Sequence, residues 1–257
     1  MSSKNIKLVI EYNGTNYSGW QSQEGPHTIQ DEIQRAIFKI TGIEINLTAA
    51  GRTDAGVHAL GQVANFHIDH RLEPERYKDA INNYLADDIL IKSSCEVPPE
   101  FNSRKDAIFR RYRYLISPQK SSIYRHLRWH QPHPVIFERL QEAAGLVAGV
   151  HDFSSFCVTS SLKENNHCRI ENSRWFKFGP LLVFEIRGNR FLHGMVRSLV
   201  GSMINLALEN QDKNSRNLTL SGFKNMLSSQ NKDRAVFTAP PHGLYLVGVG
   251  YPKDETK

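Results

Sequence analysis

Hydrophobic periodicity divides this chain into two stretches with the same order of predicted elements, β-α-β-β-α-β. In the first stretch, we predict strands at residues 5–12, 44–49, 62–68 and 89–97, and helices at 28–42 and 74–84. In the second, we predict strands at 107–116, 170–178, 181–187 and 244–250, and helices at 136–148, 191–208 and 220–229. This order is typical of ferredoxin-like split βαβ units. We therefore expect an α+β fold with mainly antiparallel sheets and two halves, residues 1–105 and 106–257.

Composition indicates a globular protein with a polyanionic partner. The chain has 257 residues, of which 40% are hydrophobic and 23% charged, and its formal net charge is +6. A basic chain gains affinity for RNA through phosphate contacts and counterion release. Three cysteines form no paired framework, and the sequence shows neither a signal peptide nor an apolar run long enough to span a bilayer. We expect a cytoplasmic protein without a membrane segment.

The most informative loop runs from Ala50 to Ala59. It carries Arg52 and Asp54 between two glycines, which permit positive φ angles and the close approach of a ligand. A carboxylate placed there can act as a nucleophile or as a general base. The alternative is a turn in which Asp54 caps its own backbone, and spacing alone favours that turn. Since His58 lacks matched ligands at usable spacing, we predict no metal site.

Residues 109–114 alternate aromatic and basic side chains. On a strand, Arg110, Tyr112 and Tyr114 share one face. Aromatic rings stack on unpaired bases and guanidinium groups bind phosphates, so the segment is a candidate RNA surface. The alternative is a sheet whose tyrosines pack in the core and whose arginines are merely solvated.

The predicted helix that begins near Phe191 is apolar on nearly every side, which indicates burial. Arg197 lies in its middle, and His193 is expected on the same face. A buried guanidinium without a partner is very costly, so the helix predicts a carboxylate near Arg197. Extension of the side chain to solvent is the alternative; we favour pairing.

Two further segments are ambiguous. His151 and Asp152 form a pair like that of metal phosphohydrolases, but a helix cap built by Asp152 or by Ser154 and Ser155 is the simpler interpretation. Trp20 lies in a turn-rich stretch, where it can pack on the core or touch RNA.

Several segments together resemble the tRNA pseudouridine synthase A family. They are Glu11-Tyr12-Asn13-Gly14, Gly19-Trp20-Gln21, Gly51-Arg52-Thr53-Asp54-Ala55-Gly56-Val57-His58, Arg110-Arg111-Tyr112-Arg113-Tyr114, His151-Asp152-Phe153-Ser154-Ser155-Phe156, residues 191–201 and Gly243-Leu244-Tyr245-Leu246. They occur in the family's order and cover nearly the whole chain. The segment around Asp54 is highly specific to this family, and each of the others would be weak alone.

The resemblance implies a pseudouridine synthase fold with a catalytic cleft between the two halves. It also implies a cofactor-free enzyme that isomerises uridine at positions 38, 39 and 40 of the tRNA anticodon arm, and a homodimer that holds one tRNA across both subunits. Asp54 matches the catalytic aspartate, Tyr112 the tyrosine that stacks on the target base, and Arg197 the arginine paired with the aspartate. The substrate-binding set further includes Arg52, which helps to hold the flipped nucleotide, and His58, Arg110 and Leu244.

Two positions depart from the family pattern. Asn13 stands where relatives often carry Asp, and Ser22 stands where Arg is common. Both lie outside the catalytic set and concern details of RNA contact.

Two other functions remain alternatives. An RNA-binding protein could keep this fold without activity, but it would not need a buried ion pair. A phosphohydrolase could use Asp54 as its nucleophile, but such sites gather further carboxylates around Mg²⁺, and none flanks this loop.

Overall fold

The computed structural model describes residues 3–209, 218–228 and 237–252. Within them the chain forms two compact units. The first contains the described residues up to Arg110 and those from Tyr245 on, and the second extends from Arg111 to Leu244. In the described part of the chain, no helix has both the length and the apolar character needed to cross a membrane.

Both units contain strands and helices. The strands are β1 (Lys4–Tyr12), β2 (Thr48–Ala49), β3 (His58–Ile68), β4 (Ile89–Val97), β5 (Phe109–Ser117), β6 (Trp129–His130), β7 (Gly149–Asp152), β8 (His167–Phe178), β9 (Leu181–Gly188) and β10 (Leu244–Gly250). The helices are α1 (Ile29–Thr41), α2 (Tyr77–Asn82), α3 (Phe137–Val147), α4 (Met195–Ala207) and α5 (Leu220–Leu227). Short 3-10 turns lie at Gly14–Asn16, Pro74–Arg76, Ser154–Phe156, Thr159–Ser161 and Pro241–Gly243.

The first unit is built on the strand order β4-β1-β3-β10. Strand β1 is antiparallel to both β3 and β4, whereas β10 is parallel to β3, with Tyr245 opposite His58. We expected β10 in the C-terminal half. Alternation of apolar residues predicts which face of a strand is buried but does not identify its neighbour, and so it could not assign this strand to a sheet.

The local signals in the first unit act as predicted. Thr28 caps helix α1 by accepting a hydrogen bond from the Asp31 N–H, and Gly42 ends the helix at a φ of 69°. Strand β1 alternates as expected and buries one face, formed by Ile6, Leu8, Ile10 and Tyr12. The predicted strand 44–49 is reduced to Thr48–Ala49.

The second unit is built on the strand order β5-β9-β8-β7. Strands β8 and β9 form the predicted hairpin, with Gly179 at a φ of 56° in its turn. An aromatic cluster joins the Ser154–Phe156 turn to helix α5, since the rings of Phe156 and Phe223 lie 5.7 Å apart. With antiparallel pairs predominating in both units, the predicted α+β fold is confirmed.

Helix α4 begins four residues later than we predicted. Gly194 precedes it with a φ of 73°, a left-handed conformation that cannot continue a right-handed helix. His193 therefore lies outside the helix, and the prediction that it shares a helical face with Arg197 is wrong. Within the helix, every residue except Arg197 is buried.

Candidate active site

Asp54 lies in the loop between β2 and β3, which we call the Asp54 loop (residues 50–57). Its carbonyl accepts the N–H of Val57 at 3.2 Å, and Gly56 has a φ of 75°. The main chain thus closes a tight turn that needs a positive φ at its third residue. Asp54 itself is half-buried and Arg52 is exposed.

One chain segment, residues 12–20, fixes the centre of this loop. The hydroxyl groups of Tyr12 and Thr53 lie 2.7 Å apart, and both side chains are buried. The Trp20 N–H donates to the Thr53 carbonyl at 3.1 Å. Thr53 is therefore held through both its side chain and its backbone. Trp20 is buried, as the core-packing interpretation predicts.

Two glycines of the same segment allow it to approach the loop backbone. A Cβ on Gly14 would lie 2.0 Å from the Val57 carbonyl oxygen, and a Cβ on Gly19 would lie 2.6 Å from that of Thr53. Gly19 also has a φ of 91°. Any side chain at either position would displace the loop or the segment, so the packing requires glycine at both.

Asn13 opens the 3-10 turn that carries Gly14. Its side-chain oxygen accepts from the N–H and the hydroxyl of Thr15, at 3.1 and 2.6 Å. An acceptor oxygen is all that this turn uses, and the amide supplies it as an aspartate carboxylate would.

His58 follows the loop and is 1% exposed. Its Nδ1 accepts the Gly14 N–H at 3.0 Å, so that ring nitrogen is unprotonated. The ring packs against Tyr245 with centroids 4.7 Å apart. The expected role of His58 in substrate binding stays a prediction. In the structure, the His58 side chain connects the end of the Asp54 loop to the segment of residues 12–20.

The start of the Asp54 loop is held by side chains from two strands. The Arg110 guanidinium donates to the Ala50 carbonyl at 2.8 and 3.2 Å and to the carbonyls of Arg104 and Ala107 at 2.7 and 2.9 Å. The Gln62 side-chain amide donates to the Gly51 carbonyl at 2.7 Å. Arg110 was expected to bind RNA, but the contacts described here hold protein backbone, and its role towards RNA stays a prediction.

Strand β5 presents its tyrosines on a buried face. Tyr112 is 7% exposed and meets Phe191 edge-on at 5.1 Å. Tyr114 is fully buried and its hydroxyl donates to the Pro240 carbonyl at 2.7 Å. Burial raises the pKa of Tyr114, and the positive charge of Arg197 opposes this rise. The predicted alternation is therefore correct, and Arg111 lies exposed on the other face.

Arg197 is tied to the segment next to the Tyr114 acceptor. Its Nε donates to the Ala239 carbonyl at 2.9 Å, and the Ala239 N–H donates back to the Arg197 carbonyl at 3.0 Å. The side chain is partly exposed. Leu244, the first residue of β10, is 6% exposed. The two hydrogen bonds with Ala239 fix the position of the Arg197 side chain, and its pairing with a carboxylate stays a prediction.

Other candidates have structural explanations. The Asp152 carboxylate accepts from the N–H and the hydroxyl of Ser154, at 2.8 and 2.5 Å, but Phe153 is the N-cap of the 3-10 turn, so Asp152 closes a local turn and is not the predicted helix cap. Among the residues that the structure describes, no group of three or more His, Cys, Asp or Glu side chains could hold a metal ion. Sequence reasoning assigned no role at the site to Tyr12, Gly14 and Gly19, although all three lie in segments that carry the family resemblance.

Comparison with known proteins identifies the family of this chain. The profile of the tRNA pseudouridine synthase family matches residues 8–104 and 143–252. A protein of Acetivibrio thermocellus named tRNA pseudouridine synthase A is 41% identical over 250 residues, which are 96% of this chain and 100% of that protein. Proteins with the same name from Brachyspira hyodysenteriae and a Thermoanaerobacter species are 40% and 37% identical, over 94% and 96% of this chain and 96% and 100% of their own lengths. By these similarities, the chain belongs to the tRNA pseudouridine synthase family.

Proposed function

We propose that this enzyme converts uridine to pseudouridine at positions 38, 39 and 40 in the anticodon arm of tRNA, with Asp54 as its catalytic carboxylate. Family membership establishes the isomerisation, and the resemblance of the sequence supports the three positions. The observation that carries the catalytic assignment is the Asp54 loop itself. The carbonyls of Ala50 and Thr53 accept hydrogen bonds before the half-buried carboxylate, and the Gly56 N–H donates to the Tyr17 carbonyl after it. A catalytic group is preorganised in this way.

The reaction requires no redox step and no group donor. The bond between ribose and N1 of uracil breaks, the base turns, and the ribose is rejoined to C5. C5 then loses its proton and N1 gains one, so that the product is an isomer of the substrate. We propose that the uridine leaves the base stack before it reacts, because its reacting atoms are inaccessible inside a stacked arm. Ionised Asp54 then attacks the sugar or the base, or assists the loss of uracil.

Three other side chains are assigned roles in the proposal. Tyr112 stacks on the uracil ring, and Arg197 pairs with the Asp54 carboxylate and orients it. Arg52 binds a phosphate of the flipped nucleotide. In favour of this last role, Arg52 is exposed, and within the described residues it makes no hydrogen bond or ion pair. We further propose that Leu244 contributes an apolar wall that limits access of water to the base.

The partner and the assembly follow from the resemblance. We propose that the enzyme works in the cytoplasm as a homodimer and that one tRNA contacts both subunits. The net charge of +6 supports binding to a polyanion.

The test is direct modification of unmodified tRNA by the purified protein. Transcripts with uridine at positions 38, 39 or 40 are incubated with enzyme, and pseudouridine is mapped by carbodiimide treatment and primer extension. We expect stops at these positions and none in a transcript that carries cytidine there. Unchanged uridines throughout the arm, with correctly folded protein, would overturn the proposal.

A matched pair of variants tests the catalytic assignment. Asp54→Asn should abolish turnover and leave tRNA binding largely intact, because the amide keeps the shape of the carboxylate but neither ionises nor attacks. Asp79→Asn, an equivalent change at an exposed position of helix α2, should retain full activity. Normal turnover by Asp54→Asn would show that another group does the chemistry.

A further inference from the structure

We propose that Tyr12 is a positioning residue of the isomerisation, whose hydroxyl acts through Thr53 to hold Asp54 where it reacts. The inference rests on the proposed function, since it assigns a device by which the Asp54 loop is fixed for that reaction. It concerns a side chain that is 2% exposed and therefore has no access to tRNA.

The link between Tyr12 and Thr53 is a short hydrogen bond between two buried hydroxyl groups. Their oxygens are 2.7 Å apart, and the Thr53 residue is 7% exposed. In such surroundings a hydroxyl that loses its partner is not compensated by water. The pair therefore resists separation, and Thr53 cannot rotate without breaking it.

Tyr12 is itself anchored to a rigid element rather than to the loop. It is the last residue of β1, an inner strand of the first unit, and it lies opposite Ala59 of β3 and Ile89 of β4. Its ring lies 6.0 Å from that of Trp20. The sheet therefore holds Tyr12 in place, and the Tyr12 hydroxyl in turn holds the loop at Thr53.

Thr53 transmits this constraint because it is the chain neighbour of Asp54. Two hydrogen bonds fix Thr53, one to the Tyr12 hydroxyl and one from the Trp20 N–H to its carbonyl. Without the first, the remaining bond leaves residue 53 free to rotate about its main-chain contact. Small changes there move the Asp54 carboxylate, and a reacting group that is displaced by about 1 Å can lose about 10²-fold in rate.

The experiment compares single-turnover rates and tRNA dissociation constants of hydroxyl variants. Tyr12→Phe should lower the rate constant at saturating enzyme by about tenfold or more and change the dissociation constant less than about twofold. Thr53→Val should do the same. Thr53→Ser, which keeps the hydroxyl, should retain most of the rate.

A double variant identifies the hydrogen bond as the cause. If Tyr12 acts through Thr53, then Tyr12→Phe combined with Thr53→Val is about as slow as either single variant. Rate losses that multiply would overturn the proposal, because they would mean that the two hydroxyl groups act independently.

Tyr77→Phe is the matched control for stability. Tyr77 of helix α2 is also buried, and its hydroxyl lies 3.5 Å from His70 Nδ1 instead of on the Asp54 loop. We expect its loss to lower the melting temperature without lowering the rate. An undiminished rate in Tyr12→Phe, with wild-type enzyme active, would refute the positioning role alone, whereas inactive wild-type enzyme would count against the proposed function. If Tyr12→Phe does not fold, the rate constants of Thr53→Val and Thr53→Ser test the positioning role, and equal rate constants would refute it.

Discussion

Gly14 lies directly against the Val57 carbonyl, so closely that a Cβ would be 2.0 Å from the oxygen. The neighbour is main chain of the Asp54 loop and cannot rotate aside as a side chain would. Gly14→Ala should therefore displace the loop, lowering the rate by about 10²-fold and the free energy of unfolding by about 1–3 kcal/mol. Single-turnover kinetics and urea unfolding measure the two effects.

The control for this prediction is Gly145→Ala. Gly145 lies in helix α3, and a Cβ there would meet no atom within 4 Å. Alanine is a better helix former than glycine, so we expect this variant to be more stable by about 0.5–1 kcal/mol and fully active. A Gly14→Ala enzyme as active as this control would mean that the close approach does not position the loop.

Arg197→Lys should lower the turnover rate by about 10²-fold while leaving tRNA binding nearly unchanged. The guanidinium donates to Ala239 through Nε, and we predict that its terminal nitrogens donate to the Asp54 carboxylate. A lysine carries one ammonium group and cannot supply both contacts in a fixed geometry. Arg139→Lys changes an exposed position on α3 and is the control, so it should leave the turnover rate unchanged. An unchanged rate in Arg197→Lys would show that the reaction does not need a guanidinium that contacts Ala239 and Asp54 at the same time.

Arg52→Gln should weaken tRNA binding in a salt-dependent manner. An exposed arginine that neutralises one phosphate releases about one counterion, so its loss reduces the slope of log K against log salt concentration by about one. Filter binding between low and moderate salt measures that slope. Arg139→Gln removes an equally exposed charge that the proposal does not place on RNA. Equal slopes for wild type and Arg52→Gln would exclude a phosphate contact.

Local features of the fold could be predicted from the sequence because their causes are local. The alternation in β1 and β5 indicates which side chains are buried, and Thr28 and Gly42 mark the ends of α1 through their own backbone preferences. The sequence predicts a start of α4 that is too early, because the apolar residues from Phe191 fit the helical pattern. In the structure, the left-handed φ of Gly194 prevents the helix from extending to residues before Met195. Glycine permits a positive φ but does not require it, so its presence in the sequence does not predict where the helix begins.

The contacts that hold the Asp54 loop could not be predicted, because they join residues far apart in sequence. Tyr12 and Thr53 are separated by 41 positions, and Arg110 and Ala50 by 60. Nothing in the segment around Arg110 distinguishes a guanidinium that binds backbone carbonyls from one that binds phosphate. Both uses need the same five N–H donors, and only the fold determines which acceptors are near.

The two ion pairs of the buried Glu185 carboxylate should make the stability of the fold depend on pH. Its side chain is 4% exposed and accepts from Arg113 and Arg174, each at 2.7 Å. Burial alone would raise the pKa of Glu185, but the hydrogen bonds and charges of the two arginines outweigh it and lower the pKa below the ordinary 4.5. A carboxylate with a lowered pKa stabilises the fold above its ordinary pKa, and that stabilisation is lost as the pH falls through the folded-state value.

Glu185→Gln should therefore lower the free energy of unfolding by about 1–2 kcal/mol near neutral pH, since hydrogen bonds to a charged acceptor are lost. The difference between variant and wild type should shrink as the pH falls below 4.5. Urea unfolding followed at several pH values measures it. Glu171→Gln breaks an ion pair in the same hairpin in which both side chains are about a third exposed, and it should change stability by less than about 1 kcal/mol. A Glu185→Gln difference that does not vary with pH would show that the carboxylate contributes through packing rather than through its charge.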